Sequence, residues 1–189
     1  MLEGKKVNLR VMERGDLDFA TECFNNINYW GEYEPLGAQK SKTERLKAFD
    51  NPPQVAILCE RERFIIEKKD KTKIGFMALW LAQPSRMMEI GYSLIPSERG
   101  KGYGTEAVQL IVDYLFLPRD IAPIQAMTDV RNKASQKALE KAGFKREGTI
   151  RKAGFLRGEW TNAYLYGVIR EEWKEPRILT RTRKRLQSH

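Results

Sequence analysis

The sequence is poor in the residues on which metal and thiol chemistry draws. Among 189 residues there is one histidine, His189, the last, and there are two cysteines, Cys23 and Cys59. The cysteines lie far apart in apolar surroundings, and neither has a CxxC partner. No zinc cluster, non-haem iron site or Cys–His nucleophile can be assembled from this inventory. The two thiols read as reduced and structural, in a cytoplasmic protein. Long apolar runs are missing too: the longest, residues 74–82, is far too short to span a bilayer. The start, Met1-Leu2-Glu3-Gly4-Lys5-Lys6, contains no apolar stretch of the kind a secretory signal carries. The one glycine-rich loop has neither GxxxxGKS/T order nor GxGxxG order, so it is neither a P-loop nor a dinucleotide fingerprint.

What the chain has in excess is positive charge. Lys and Arg number 34 against 25 Asp and Glu, a net charge of +9 with a pI near 9.6. The basic residues are scattered along most of the chain, which describes a solvated basic surface better than a dedicated DNA face. The exception is residues 177–185, with five basic residues and no acid. Residues 1–175 therefore read as a single domain, large enough to bury a core, and 176–189 as a basic tail. The tail reads as solvated; a contact with RNA or the ribosome is the sharper alternative.

The most informative stretch runs from Met88 to Leu115. Residues 88–95 are short, mostly apolar and bounded by Pro96, as a buried strand would be. Ala107, Val108, Ile111, Val112 and Leu115 recur at helical spacing. Between them lies Glu98-Arg99-Gly100-Lys101-Gly102-Tyr103-Gly104-Thr105. A glycine loop entering a helix offers unpaired N–H groups, the positive end of the helix dipole and no Cβ atoms in the way, which together make an anion site. Arg99 and Lys101 add charge at its mouth.

A second stretch follows a strand expected at 124–130. Asn132 suits a helix N-cap, and Gly143 a helix stop. Ala134, Ala138, Leu139 and Ala142 give a narrow stripe of small apolar residues, and Phe144 opens another strand.

The two stretches, Arg-x-x-Gly-x-Gly at Arg99, Gly102 and Gly104, and Asn-x-x-Ser followed by Glu-Lys-x-Gly-Phe at 132–144, resemble the two signatures of GNAT-type N-acetyltransferases. The similarity is greatest to the branch of ribosomal-protein and peptide N-terminal acetyltransferases, which Arg170-Glu171-Glu172-Trp173 also resembles. It covers residues 5–173. It implies an α/β (α+β) fold: a mixed, mostly antiparallel sheet splayed at a central parallel pair, with helices on both faces. It implies direct transfer of an acetyl group from acetyl-coenzyme A to a primary amine, with no metal and no protein nucleophile. The acceptor would be a protein N-terminal α-amine or a small amine such as a polyamine or antibiotic. A non-catalytic acyl-coenzyme A sensor of the same fold is the other reading. Monomer and homodimer are both open.

The resemblance also assigns residues. Coenzyme A would lie against Leu94, Ile95, Arg99, Gly100, Lys101, Gly102, Tyr103, Gly104 and Thr105, with Asn132 and Ser135 near its pantetheine arm. Glu89 on the key strand matches a general base of some members; the bland alternative is a strand-end glutamate paired with Arg86. The tyrosine that protonates the leaving thiolate in many members is Leu139 here, which leaves Ser135, then Tyr164 and Tyr166. Asn162 stands where the branch often has an acid. Tyr29, Trp30 and Tyr33 would line the acceptor pocket or pack on the core, and Glu32 and Glu34 lie beside them.

For the rest, alternation predicts strands at 5–12, 55–60, 64–68, 74–81 and 163–169, and a loop at 151–159. Leu17, Ala20, Phe24 and Ile27 predict one helix, ending near Asn25-Asn26, and a short helix is expected at 42–49.

Overall fold

In the computed structural model the strands join one sheet, and among the described residues five α-helices connect or cover them. Residues 1–51, 62–82, 87–121, 123–173 and 176–178 are described. The strands are β1 (Leu2–Glu3), β2 (Val7–Val11), β3 (Glu62–Lys68), β4 (Lys73–Leu81), β5 (Met88–Leu94), β6 (Ile124–Asp129), β7 (Lys145–Leu156) and β8 (Glu159–Val168). The helices are α1 (Leu17–Asn25), α2 (Ile27–Trp30), α3 (Lys42–Asp50), α4 (Tyr103–Phe116) and α5 (Lys133–Lys141). The sheet order is β1-β2-β3-β4-β5-β6-β8-β7. Only β5 and β6 pair in parallel among the described strands, because α4 carries the chain across between them. The strand expected at 55–60, Cys59, Arg86 and residues 179–189 lie outside the described residues.

The pleat of β3 and β4 sends side chains to two cores. Ile66, Met77, Leu79 and Ile90 pack under α4 with Val108, Leu110, Ile111 and Leu115. Ile65 and Phe76 face the other way, onto Leu17, Ala20, Cys23 and Tyr29. Each such buried aliphatic side chain contributes about 1.5–3 kcal/mol from water exclusion, which makes the α4 layer the main support of the fold. A polar pin adds to it. Asp113 of α4 is fully buried and accepts hydrogen bonds from Trp173 Nε1 at 2.9 Å and from the backbone N–H of Arg177 and Ile178.

Three expectations are corrected. Ile27 is not part of the first helix: Asn26 breaks it with extended ψ, its side chain caps α2 by accepting Asn28 N–H, and Ile27 is 55 % exposed. The stripe on α5 is narrower than its alanines suggest: Leu139 and Ala142 are buried with Gln136, while Ala134 faces solvent. The glycine-rich stretch 151–159 is not a loop. β7 runs on to Leu156 and turns into β8 through two residues, Arg157 at φ 53° and Gly158 at φ 90°. Positive φ at both central positions matches the right-handed twist of a hairpin. Lys152, at φ 50°, lies within the register shift between Ile150 and Gly154, and its N–H is taken up by Asn162 Oδ1 at 2.9 Å.

Candidate active site

The phase of the β4–β5 ladder decides what β5 offers to its other side. Ile95 N–H donates to Ile74 C=O at 2.9 Å. With Phe76 opposite Ser93 and Gly75 opposite Leu94, alternation makes Ser93 and Gly91 face β4 as well, and turns the N–H groups of Tyr92 and Leu94 toward β6. There β6 pairs only at Met88↔Ile124 and Glu89↔Gln125. Beyond Glu89 the two strands part, and the Tyr92 and Leu94 backbones open on a gap.

The glycine loop closes one end of that gap. Gly100 and Gly102 hold φ of +76° and +84°, which favours glycine at both. Gly102 is the N-cap of α4, and no side chain caps the helix. Its first-turn N–H groups are thus left for a ligand. A Cβ on Gly100 would meet nothing within 4 Å, whereas one on Gly104 would lie 3.1 Å from Tyr92 Cε2. Gly104 lets the helix close on Tyr92; Gly100 leaves room above the loop. This bare, uncapped helix start fits the diphosphate of coenzyme A.

The cations of the loop have partners within the chain. Arg99 is exposed beside the loop. Its Nε donates to Leu94 C=O at 3.0 Å and its Nη2 to Tyr29 C=O, while its own N–H bonds Pro96 C=O. It ties the end of β5 to α2. Lys101 pairs with Glu98 at 2.9 Å.

Across the gap, Asn132 caps α5 by accepting Ser135 N–H at 3.0 Å. The Ser135 hydroxyl lies 3.2 Å from Tyr92 Oη. Burial raises the Tyr92 pKa, so the phenol keeps its proton. Leu139 is buried in the core. Tyr166 donates to Glu140, and Tyr164 lies under Arg146. Neither is tied to Ser135.

Of the three aromatics, Tyr29 is 2 % exposed, with its hydroxyl 2.5 Å from Ser93 Oγ. Trp30 stacks on Phe24 and donates Nε1–H to its carbonyl at 3.0 Å. Tyr33 is half-buried beneath the Arg131 guanidinium. Glu89 is buried where β5 and β6 still pair, and its carboxylate accepts Gln125 Nε2 at 2.7 Å.

A carboxyl held toward neutrality is Glu34, which the sequence offers only as a local acid beside Glu32. It is half-buried after α2. Burial pushes its pKa up to about 7, against the pull of Arg99, and its charge is felt at both Tyr29 and Tyr92. A carboxyl near neutrality at the meeting point of β5, Arg99 and two tyrosines is suited to proton transfer. Its signal was weak: an acid in an aromatic-rich, irregular segment. Among the described residues no cluster of three metal-ligating side chains occurs.

Comparison with known proteins places these features in context. Residues 6–145 match the family model described as an acetyltransferase (GNAT) domain. The uncharacterized N-acetyltransferase YnaD of Bacillus subtilis (strain 168) is 31 % identical over 170 residues, covering 89 % of this chain and 96 % of the relative. The crystal structure of spermidine N-acetyltransferase from Vibrio cholerae in complex with CoA and spermine is 26 % identical, with a TM-score of 0.71 over 89 % of this chain and 98 % of that one. The ribosomal-protein-S5-alanine acetyltransferase from Vibrio fischeri, 24 % identical, shares the fold with a TM-score of 0.75 over 92 % of this chain and 98 % of that one.

Proposed function

Since the chain belongs to the GNAT family and is an N-acetyltransferase that draws on acetyl-coenzyme A, we propose that its acceptor is a small cationic primary amine whose proton passes to Glu34. The observation that carries this reading is the Glu34 carboxyl itself, raised toward neutrality by burial and near enough to Tyr29, Tyr92 and Arg99 for charge to be felt between them. An ionised Glu34 attracts an alkylammonium ion and then takes a proton from it, leaving the amine nucleophilic. Exposed Glu32 beside it makes the entrance locally acidic despite the overall charge of +9. The spermidine acetyltransferase among the relatives agrees with an acceptor of this class.

Acetyl-coenzyme A supplies the thioester and an anionic handle. The loop from Gly100 to Thr105 holds its diphosphate, and the Tyr92 and Leu94 backbones line its pantetheine arm, with Asn132 beside it. Leu94 N–H, turned into the gap, faces the thioester oxygen as negative charge grows there. The new C–N bond forms as the C–S bond breaks. Ser135, hydrogen-bonded to Tyr92, passes a proton to the sulfur and is reprotonated from solvent, while Glu34 gives up to solvent the proton it took from the amine. Positioning two reactants in one gap supplies much of the rate.

The test is release of free thiol from acetyl-coenzyme A with a panel of diamines, spermidine, aminoglycosides and alanine-initiated peptides. Turnover of the small cationic amines well above the peptides is expected. Turnover of peptides alone would transfer the assignment to protein N-termini. Tight coenzyme A binding with no thiol release from any amine would favour a sensor.

A further inference from the structure

The glycine loop has a neighbour that neither signature includes. The turn between β1 and β2 is fastened to the first turn of α4 by one buried carboxylate: Glu106 Oε1 accepts the N–H of Lys6 at 2.9 Å and that of Lys5. A Cβ on Gly4 would run into the same carboxylate, so glycine there lets the turn approach. Thus fixed, Lys6 sends its side chain over the loop. Its Nζ donates to Lys101 C=O at 3.2 Å, and it lies 3.2 Å from where Gly102 would carry a Cβ.

The loop's own cations are engaged elsewhere. Arg99 is bound to the carbonyls of Leu94 and Tyr29. Lys101 is paired with Glu98, which Lys68 also approaches at 3.7 Å. Among the described residues Lys6 has no carboxylate partner, and its bond to a carbonyl leaves two ammonium hydrogens for another acceptor.

We infer that Lys6 is the cation that recognises a phosphate of coenzyme A, and that Glu106 is the positioning residue that delivers it. The inference rests on the coenzyme A part of the reading above. The chain thereby closes its phosphate site with a residue almost a hundred positions before the loop. An ammonium on the loop rim strengthens binding of a polyanion without touching the reacting atoms.

The experiment is calorimetric titration of the wild type, Lys6→Gln and Lys6→Arg with coenzyme A, 3′-dephospho-coenzyme A and pantetheine, at low and high salt. Wild-type binding of coenzyme A is the control for the reading itself; its failure would remove the reading rather than this inference. Lys6→Gln should weaken coenzyme A about tenfold at low salt, the scale of one charge-assisted hydrogen bond. The deficit should shrink in high salt, and Lys6→Arg should recover most of it. A loss shared by the dephospho form assigns Lys6 to the diphosphate; a loss confined to coenzyme A assigns it to the 3′-phosphate. Pantetheine, which has neither, should bind both proteins alike. Glu106→Ala, which removes the acceptor that fixes Lys6, should reproduce the loss, whereas Glu106→Gln, which keeps an accepting oxygen, should retain most of the affinity; the Lys6→Gln/Glu106→Ala double variant should be no weaker than either single one. Equal affinity of wild type and Lys6→Gln for coenzyme A at low salt would overturn the inference, as would an equal loss for pantetheine.

Discussion

At one end of the β5–β6 interface the strands are held together, and at the other they are not. At the closed end Glu89 and Gln125 are both buried, paired in register and hydrogen-bonded to each other. Three residues along β5, Tyr92 has no strand partner on that side, and its hydroxyl reaches across to Ser135 on a helix. The closed end satisfies its polar groups internally, as a buried ladder must. The open end leaves N–H groups, hydroxyls and the Glu34 carboxyl to be completed by something else. Under the function proposed above, one strand thus borders two carboxylate neighbourhoods with opposite assignments: stability at the closed end, chemistry at the open one.

The sharpest way to break that comparison is Glu34→Gln. Loss of a general base at this position lowers kcat/KM by about 100- to 1000-fold with the best amine of the panel. In the wild type kcat/KM should rise with pH through about 7, where Glu34 ionises, and the variant should lose that limb. The sign for stability is the reverse. The folded-state pKa of Glu34 lies above its usual 4.5, so the native state loses stability relative to the unfolded chain as pH climbs from about 4.5 to about 7. The glutamine variant escapes that loss, and should melt higher than the wild type at pH 8 and alike at pH 4. A variant that keeps its rate and its pH limb would remove Glu34 from the chemistry.

Gln125→Leu tests the other end. It strands a buried carboxylate without its donor, at a cost of about 1–3 kcal/mol in stability by denaturant titration. The rate below the melting range should stay within a few-fold of wild type. Glu89→Gln, which still accepts from Gln125, should cost less in stability and leave the pH profile in place. Loss of activity in Glu89→Gln with little effect of Glu34→Gln would return the base to the closed end, as the resemblance to some family members implies.

What was legible in the chain follows from where the information is local. The β5–loop–α4 unit shows in a short apolar run, three glycines and a helical stripe, and the Asn132 cap in a single residue type. Glu34 was not legible, because nothing within its own segment sets its pKa; burial beside Arg99 does, and Arg99 comes from sixty-five positions further on. The partners of Arg99 are illegible for the same reason: Leu94 C=O and Tyr29 C=O are backbone atoms that sequence does not distinguish. β7 was cut short because the edge strand is exposed on both faces from Lys145 to Ala153. Such a strand has no apolar alternation to read, and its turn, Arg157-Gly158, lacks the Asn-Gly or Asp-Gly pair that announces a hairpin.

The mildest test concerns the hydroxyl pair across the gap. Tyr92 and Ser135 come from opposite walls, so their contact exists only because the strands have parted. Ser135→Ala removes the proton donor to the sulfur and should lower kcat about tenfold, toward the small end of general-acid effects because a thiolate leaves readily. Tyr92→Phe removes only its partner and should cost less. The double variant should be no slower than Ser135→Ala, since the two hydroxyls act as one unit. The melting temperature should scarcely move in Ser135→Ala, because the cap that organises α5 is Asn132 Oδ1 to Ser135 N–H, which the alanine keeps. A drop in melting temperature with unchanged kcat would make the pair a strut between the walls instead of a proton path, and would extend the structural role of the closed end along the whole strand.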